Sequence, residues 1–451
     1  MIERAEGGWL LGRGIRGLLR CDEAEVVEGI ARYVMSQHTS LRVGSALMGR
    51  ARRTPLPAAT ALLGGLTRFL EVRAGVSREG AVWVARLSNE RRAVEALPQL
   101  LPEMGWTEWK FRRRPDAAAL RALAGLRPAS VLRAFRLARR LHRRHDFFKV
   151  LRVVELLGYY ARYLALFRGG RFRLAVMSSH SNPHGIAFNL AARRRGVPVV
   201  LVTHGMPVRP VAPLSYDLAV VHCEAARQTY EEEGCRMGRV LVHGRRQHHA
   251  PMPAGPLAER LAVGLFLCKD VNEGRLRDLV ERLLSDPRVS RVLVRPHPKN
   301  LWRGLGEWVA TRREPRLTLS PRGAVFQDIA SSDVVLAGNS SVLAEAVTAG
   351  RPAAYVPGLD HGPPDLHAFV ARGLVYLYAD ERGFEPDAMQ RFYLRPDWPA
   401  ALRLFANVCE DAATVAERTK EVLREVVSLV TIFDDTNGRT TNFDDRLDNL
   451  L

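Results

Sequence analysis

From Ala81 onward, short apolar runs alternate with longer stretches of helical spacing. The run Ala-Val-Trp-Val-Ala-Arg-Leu from Ala81 predicts a strand, and the spacing from Asn89 to Leu100 predicts the helix it feeds. The rhythm becomes regular from Arg173. Strands are predicted at 174–177, 197–202, 218–221 and 240–242, with helices at 185–195 and 224–233 that stop at Gly196 and Gly234. A second series places strands at 262–267, 289–294, 334–337 and 353–356, and helices at 274–284, 325–330 and 341–349. Strands joined by helices in this order form parallel sheets. The expected fold class is therefore α/β, with two Rossmann-like domains facing across a cleft.

Between the two series, residues 247–256 contain three prolines and a glycine, which suits a linker between domains. The expected plan has a mostly helical extension over 1–80 and a first Rossmann-like domain over 81–250 that would take the acceptor, including basic amphipathic helices within 110–170. A linker at 251–260 leads to a second Rossmann-like domain at 261–400 that would take the nucleotide. A long helix over 401–430 and an acidic polar tail over 431–451 close the chain.

Composition sharpens this picture in three ways. A chain of 451 residues exceeds one ordinary core, and 47% hydrophobic with 25% charged residues fits a globular protein. The net charge of +19 points to an anionic partner. That charge is uneven, since residues 1–170 hold 31 Lys and Arg against 15 Asp and Glu, leaving the remainder close to neutral. Within 110–149, Arg133, Arg136, Arg140, Arg143 and Arg144 alternate with Leu132, Phe135, Leu137 and Leu141, and Phe147 and Phe148 follow. The pattern suits an anionic bilayer surface, with an arginine bias on solvated helices as the plain alternative. No nucleic-acid reader motif is present, so nucleic acid is not an expected partner. Five dispersed cysteines without a CxxC pair predict reduced thiols and a cytoplasmic setting. No signal peptide is expected at the N-terminus. The apolar stretch from Val150 to Phe167 is broken by Arg152, Glu155 and Arg162, so no membrane span is expected either.

Candidate chemistry gathers at predicted strand ends. Arg295-Pro296-His297-Pro298 closes the strand at 289–294, where Arg295 offers a cation to a phosphate and the two prolines fix the backbone on either side of an imidazole that can donate to it. Gly338-Asn339-Ser340-Ser341 follows the strand at 334–337. There a glycine allows close approach and the serines open a helix whose first turns hold Glu345, suited to ribose hydroxyls. In the first domain, His204-Gly205-Met206-Pro207 ends a strand, and His180 and His184 flank the start of a helix near the same rim, where they would meet the acceptor. A neutral imidazole at His204 can take a proton from an acceptor hydroxyl, and Glu90 is the carboxylate alternative. No metal site is expected: His248-His249 has no carboxylate at helical spacing and no Asp-x-Asp ends a strand.

Arg295-Pro296-His297-Pro298, Gly338-Asn339-Ser340-Ser341, Glu345 and Gly350-Arg351-Pro352 together resemble the donor half of GT-B-fold transferases of bacterial surface polysaccharides. The nearest groups are polysialyltransferases, capsule Kdo transferases and CDP-glycerol glycerophosphotransferases. The resemblance spans about residues 174–360 and leaves 1–80 unmatched. It implies a metal-independent transferase using a nucleotide-activated donor, such as a CMP- or CDP-linked one, with no further cofactor. It also implies phosphate-binding roles for His297, Ser340 and Ser341, and a base role for His204 by likeness to a His-Gly-x-Pro turn. Met206 and Val208 depart from that turn's usual residues. The acceptor would be a glycan or lipid-linked molecule, and the protein would sit peripherally on the inner face of the cell membrane. Two alternatives stay open: a sugar-nucleotide 2-epimerase, and a catalytically inactive scaffold of the same fold.

Overall fold

Each apolar run finds its place in one of two sheets. The computed structural model describes residues 11–13, 15–16, 24–36, 51, 54–75, 77–112, 114–243, 250–252, 257–299, 301–321, 323–379, 383–406 and 412–436. The first sheet comprises β1 (Val72–Arg73), β2 (Glu79–Val84), β3 (Trp106–Phe111), β4 (Arg171–Met177), β5 (Val199–Val202), β6 (Ser215–Val221) and β7 (Arg236–Val242). Its order is β1-β3-β2-β4-β5-β6-β7, parallel throughout except for the short antiparallel β1 at one edge. The second sheet comprises β8 (Leu261–Phe266), β9 (Val289–Arg295), β10 (Leu317–Leu319), β11 (Val334–Ala337), β12 (Ala353–Tyr355) and β13 (Tyr376–Leu377). It is wholly parallel, in the order β10-β9-β8-β11-β12-β13. All residues of β5, β11 and β12 are buried, as strands covered on both faces require.

Strand order decides where a ligand can sit. Counted from β8, the second sheet runs 3-2-1-4-5-6, so the connections leaving β8 and β11 diverge and open a crevice at their carboxyl ends. The first sheet reverses in the same way between β2 and β4.

The region read as basic helices begins later than its composition suggests. Lys110 and Phe111 belong to β3, where alternation puts Thr107 and Trp109 inside, and the helices are Ala117–Ala124, Pro128–His142 and Phe147–Arg168. Asp116 and Asp146, the two acidic residues among these arginines, are N-caps: Oδ1 of each accepts from the amides of Ala119 (2.7 Å) and Phe148 (2.8 Å). Helix Phe147–Arg168 is an interior element. Glu155 accepts from Arg68 Nε at 2.9 Å and Arg162 Nε donates to the Val72 carbonyl at 2.9 Å, so two of the three charges that interrupt its apolar sequence are buried and hydrogen-bonded, while Arg152 is exposed. Among the described residues no helix is long and apolar enough to cross a membrane.

The N-terminal segment is part of the first unit. Helix Leu56–Glu71 lies so close to helix Phe147–Arg168 that a Cβ on Gly158 would stand 2.0 Å from the Gly65 carbonyl oxygen. Only glycine fits at that crossing. Beneath it, Trp109 meets Phe167, Phe172 and Phe188 edge-on at 4.7–5.8 Å, pairs worth about 0.5–1.5 kcal/mol each beyond their burial.

The long C-terminal helix is two elements, Trp398–Phe405 and Ala412–Thr436. The latter returns to the first unit, where Leu423, Val426 and Val427 join Val200, Val202, Leu218 and Val220 in one core. Arg418 Nη2 donates to the Val242 carbonyl at 3.2 Å, and Arg239 pairs with Glu425. A second tie between the halves runs from Arg372 to the Ala225 carbonyl (3.1 Å) and to Glu232 (3.4 Å). His248 and His249, part of the linker reading and the tail beyond Thr436 lie outside the described residues.

Candidate functional site

The crevice of the second sheet is lined by the loops after β8, β9, β11 and β12. His297 stands exposed after β9, and its Nδ1 accepts from the Lys299 amide at 3.0 Å. An accepting Nδ1 leaves the proton of the neutral ring on Nε2, so the imidazole presents an N–H outward. Partial burial, followed by the ammonium groups of Lys299 and Lys269, lowers its pKa and favours that neutral form. Lys269 follows β8, and its carbonyl accepts from the Leu301 amide (3.1 Å), tying the two loops together. Both lysines are exposed, and neither forms an ion pair among the described residues.

Sequence reasoning missed these two cations and gave the role to Arg295. The structure places Arg295 elsewhere: its guanidinium pairs with the buried Asp328, donates to Ser320 Oγ (3.3 Å) and to the Gly323 carbonyl (2.7 Å), and is only about a tenth exposed. It pins the β9 end to helix Val325–Ala330. A lysine after a strand carries no sequence signal of its own. Lys269 becomes meaningful only once β8 is known to border the point where strand order reverses.

Gly338 and Asn339 are likewise engaged with protein. A Cβ at Gly338 would lie 2.1 Å from Asp360 Oδ2, so the close approach it permits is that of the carboxylate after β12. Asn339 donates through its amide N to Asp360 Oδ2 (2.7 Å) and through Nδ2 to Asp360 Oδ1 (2.8 Å) and the Pro363 carbonyl (2.9 Å), while its Oδ1 accepts from Leu366 N (2.8 Å). Asp360, unnoticed in the sequence, thus fixes the loop that starts at Gly338. Ser340 Oγ accepts from the Val342 amide at 3.3 Å, and Ser341 Oγ donates to Glu345 Oε1 at 3.3 Å. Both serines remain partly accessible at the mouth of helix Val342–Thr348. Cys268 lies beside Asp360, and burial and then that carboxylate push its thiol well above the usual range.

In the first unit the candidates separate by burial. His204 is exposed after β5, with Nδ1 2.9 Å from Ser178 Oγ at the end of β4. The others lie inside. Glu90 is 1% exposed; its Oε2 accepts from the amides of Arg86 (2.7 Å) and Leu87 (3.1 Å) and stands 3.5 Å from His184 Nε2, too long for a hydrogen bond. Burial alone raises its pKa, yet His184 and the two amides outweigh burial and hold it down at about 2. His184, also 1% exposed, is packed between Phe111 and Tyr159. His180 is buried against Tyr230, with 2.9 Å between its Nδ1 and the phenol oxygen. Glu90, His180 and His184 therefore do not line an acceptor surface as the sequence suggested. They sit behind it, at the reversal between β2 and β4.

Burial, and then the charge of His204, lower the His180 pKa from 6.5 to about 3. The unfolded chain binds this proton first, so the contribution is complete above about pH 6.5 and is lost as pH falls toward 3. Glu90 acts in the same direction, losing its contribution only below about 4.5, toward 2. The melting temperature is accordingly expected to decline between pH 7 and 5, and His180→Gln should make that decline shallower. Parallel pH profiles for the two proteins would contradict this assignment.

No protein-family model matches the chain, and no curated protein matches it in sequence. Among solved structures it is similar to the calicheamicin glycosyltransferase CalG4, at 13% identity, covering 81% of this chain and 100% of that one with a TM-score of 0.45. It is also similar to S. aureus MnaA with UDP (12%, 78% and 98%, 0.45). A third is the Neisseria meningitidis UDP-GlcNAc 2-epimerase bound to UDP-GlcNAc (12%, 77% and 98%, 0.41). At such identities and scores these likenesses assign neither activity nor substrate.

Proposed function

We propose that the chain is a metal-independent transferase of the GT-B type. It moves a glycosyl or polyol-phosphate group from a nucleotide-activated donor, CMP- or CDP-linked, to a glycan or lipid-linked acceptor at the inner face of the cell membrane. The observation that carries this reading is one coincidence: Lys269, His297, Lys299, Ser340 and Ser341 meet at the strand-order reversal of a 3-2-1-4-5-6 sheet. Two lysines without ion-pair partners among the described residues and an outward imidazole N–H suit a phosphate group, and Glu345 lies one turn behind for ribose hydroxyls.

His204 acts from the other unit. With Nδ1–H donated to Ser178 Oγ, Nε2 holds the lone pair that takes the acceptor's hydroxyl proton. The acceptor oxygen then bonds to the transferred group while the bond to the nucleotide phosphate breaks. The negative charge left on that phosphate is met by His297 Nε2–H, the lysine ammoniums and the serine hydroxyls. The donor is a substrate, and no further cofactor enters.

Calorimetric titration with CMP, CDP, UDP and GDP tests the reading. A cytidine nucleotide should bind, and Lys269→Ala and Lys299→Ala should each weaken it about tenfold or more, the value of a charge-assisted bond. Binding of none of the four nucleotides, or affinities indifferent to both lysines, would overturn it. Incubating the donor alone separates transfer from epimerisation, since only an epimerase converts it without an acceptor.

A further inference from the structure

The apolar stripe of helix Pro128–His142 faces the protein: Leu137 and Leu141 are buried, and Phe135 packs on the core. This removes the face that the sequence offered to a bilayer. What points outward is Leu132, 46% exposed, and in line with it Arg136, Arg139, Arg140 and Arg143, three and four residues apart on one stripe. Helix Leu56–Glu71 packs against this helix and against Ala117–Ala124. Its own outward line is Leu56, Ala59, Leu63 and Thr67, which carries no charge at all. Leu56 and Leu63 are 58% and 62% exposed, and on the third helix Leu120, at 49%, adjoins the exposed Arg121. One exposed leucine needs no explanation, but four on three adjoining helices do.

The charge around these leucines identifies the occupant. Residues 117–149 carry nine Lys and Arg against Asp146 alone. Among the described residues, Arg121, Arg136, Arg139, Arg140, Arg143 and Arg144 form no ion pair, whereas Arg91, Arg227, Arg288 and Arg316 each hold a carboxylate. Leucines set among unneutralised guanidiniums match a lipid surface, where apolar side chains enter the headgroup layer and arginines stay at the phosphates. We propose that the outward face of helices Leu56–Glu71, Ala117–Ala124 and Pro128–His142 docks the chain on an anionic bilayer. Leu56, Leu63, Leu120 and Leu132 insert, and the arginines bind lipid phosphate. This deepens the reading of a membrane-borne acceptor and rests on it, while using none of the nucleotide-site residues.

The test is cosedimentation of the full chain with vesicles of phosphatidylcholine alone and with about 30% phosphatidylglycerol. Binding should need the anionic lipid and weaken with salt. The triple variant Arg136→Gln/Arg140→Gln/Arg143→Gln should bind about a hundredfold more weakly, at about fivefold per charge. Leu56→Gln/Leu63→Gln should lose about tenfold or more, with the thermal melts of both variants unchanged. Binding that ignores lipid charge, binding unaffected in both variants, or tighter binding to duplex DNA or an acidic polypeptide than to vesicles would overturn the proposal. Nucleotide titration of the same proteins keeps the two readings apart. Intact nucleotide binding without vesicle binding sinks the docking face alone, and the converse sinks the nucleotide site alone.

Discussion

Alanine in place of His204 is expected to lower the rate of transfer by about two to four orders of magnitude, while nucleotide affinity stays within about twofold. The expectation follows from position. Of the four first-unit candidates only His204 is exposed, and it follows β5 of the first sheet, whereas the nucleotide crevice belongs to the second. No hydrogen bond or ion pair connects it to His297 among the described residues, so removing its ring leaves the phosphate donors in place. Ser178 supplies the discriminating control. Ser178→Ala keeps the imidazole but removes the hydroxyl at Nδ1, which weakens the preference for the tautomer with its proton there. The rate should fall by about tenfold, with KM for the donor unchanged. Asparagine at 204, which can hydrogen-bond but not accept a proton at this pH, should be as slow as alanine. A His204→Ala enzyme with full activity would remove the base from this residue, and equal losses in rate and nucleotide affinity would make it a binding group instead.

The sequence made the architecture legible and misjudged individual side chains, for a physical reason. Buried parallel strands announce themselves as apolar runs, and Gly196 and Gly234, both at positive φ, mark where helices must stop. Short edge strands such as β10 and β13 bury few residues and leave no such run. Side-chain roles depend on partners brought in from far along the chain. Arg295 and His297 stand two residues apart at one strand end, yet the guanidinium, on the last strand residue, reaches Asp328, thirty-three residues on, while the imidazole, already in the loop beyond, stays at the surface. Glu90 reads as the carboxylate alternative for a base at the rim. It is buried instead, because its helix begins by folding Oε2 back onto the amides of Arg86 and Leu87. Asp360 and Lys269 were invisible because their meaning comes from strand order, which periodicity does not encode.

The largest effect on stability is expected from Asp328→Ala, about 3–5 kcal/mol, read as an earlier unfolding transition in denaturant. Asp328 Oδ2 receives both the Arg295 guanidinium and the Ser320 hydroxyl (2.6 Å), with the arginine and aspartate side chains about nine-tenths buried. Removing the carboxylate strands an interior cation and a hydroxyl donor, and that penalty exceeds what the pair contributes when intact. Arg295→Met/Asp328→Leu should therefore recover most of the loss, because no buried charge is then left unpaired. The double variant also decides the role of Arg295. If its guanidinium served the nucleotide, affinity would drop about tenfold or more even in a refolded, stable protein. If it is the strand-to-helix tie seen here, affinity should stay within about threefold of the parent, and the phosphate should depend on Lys269, His297 and Lys299. Restored stability with lost nucleotide binding would return Arg295 to the ligand's side.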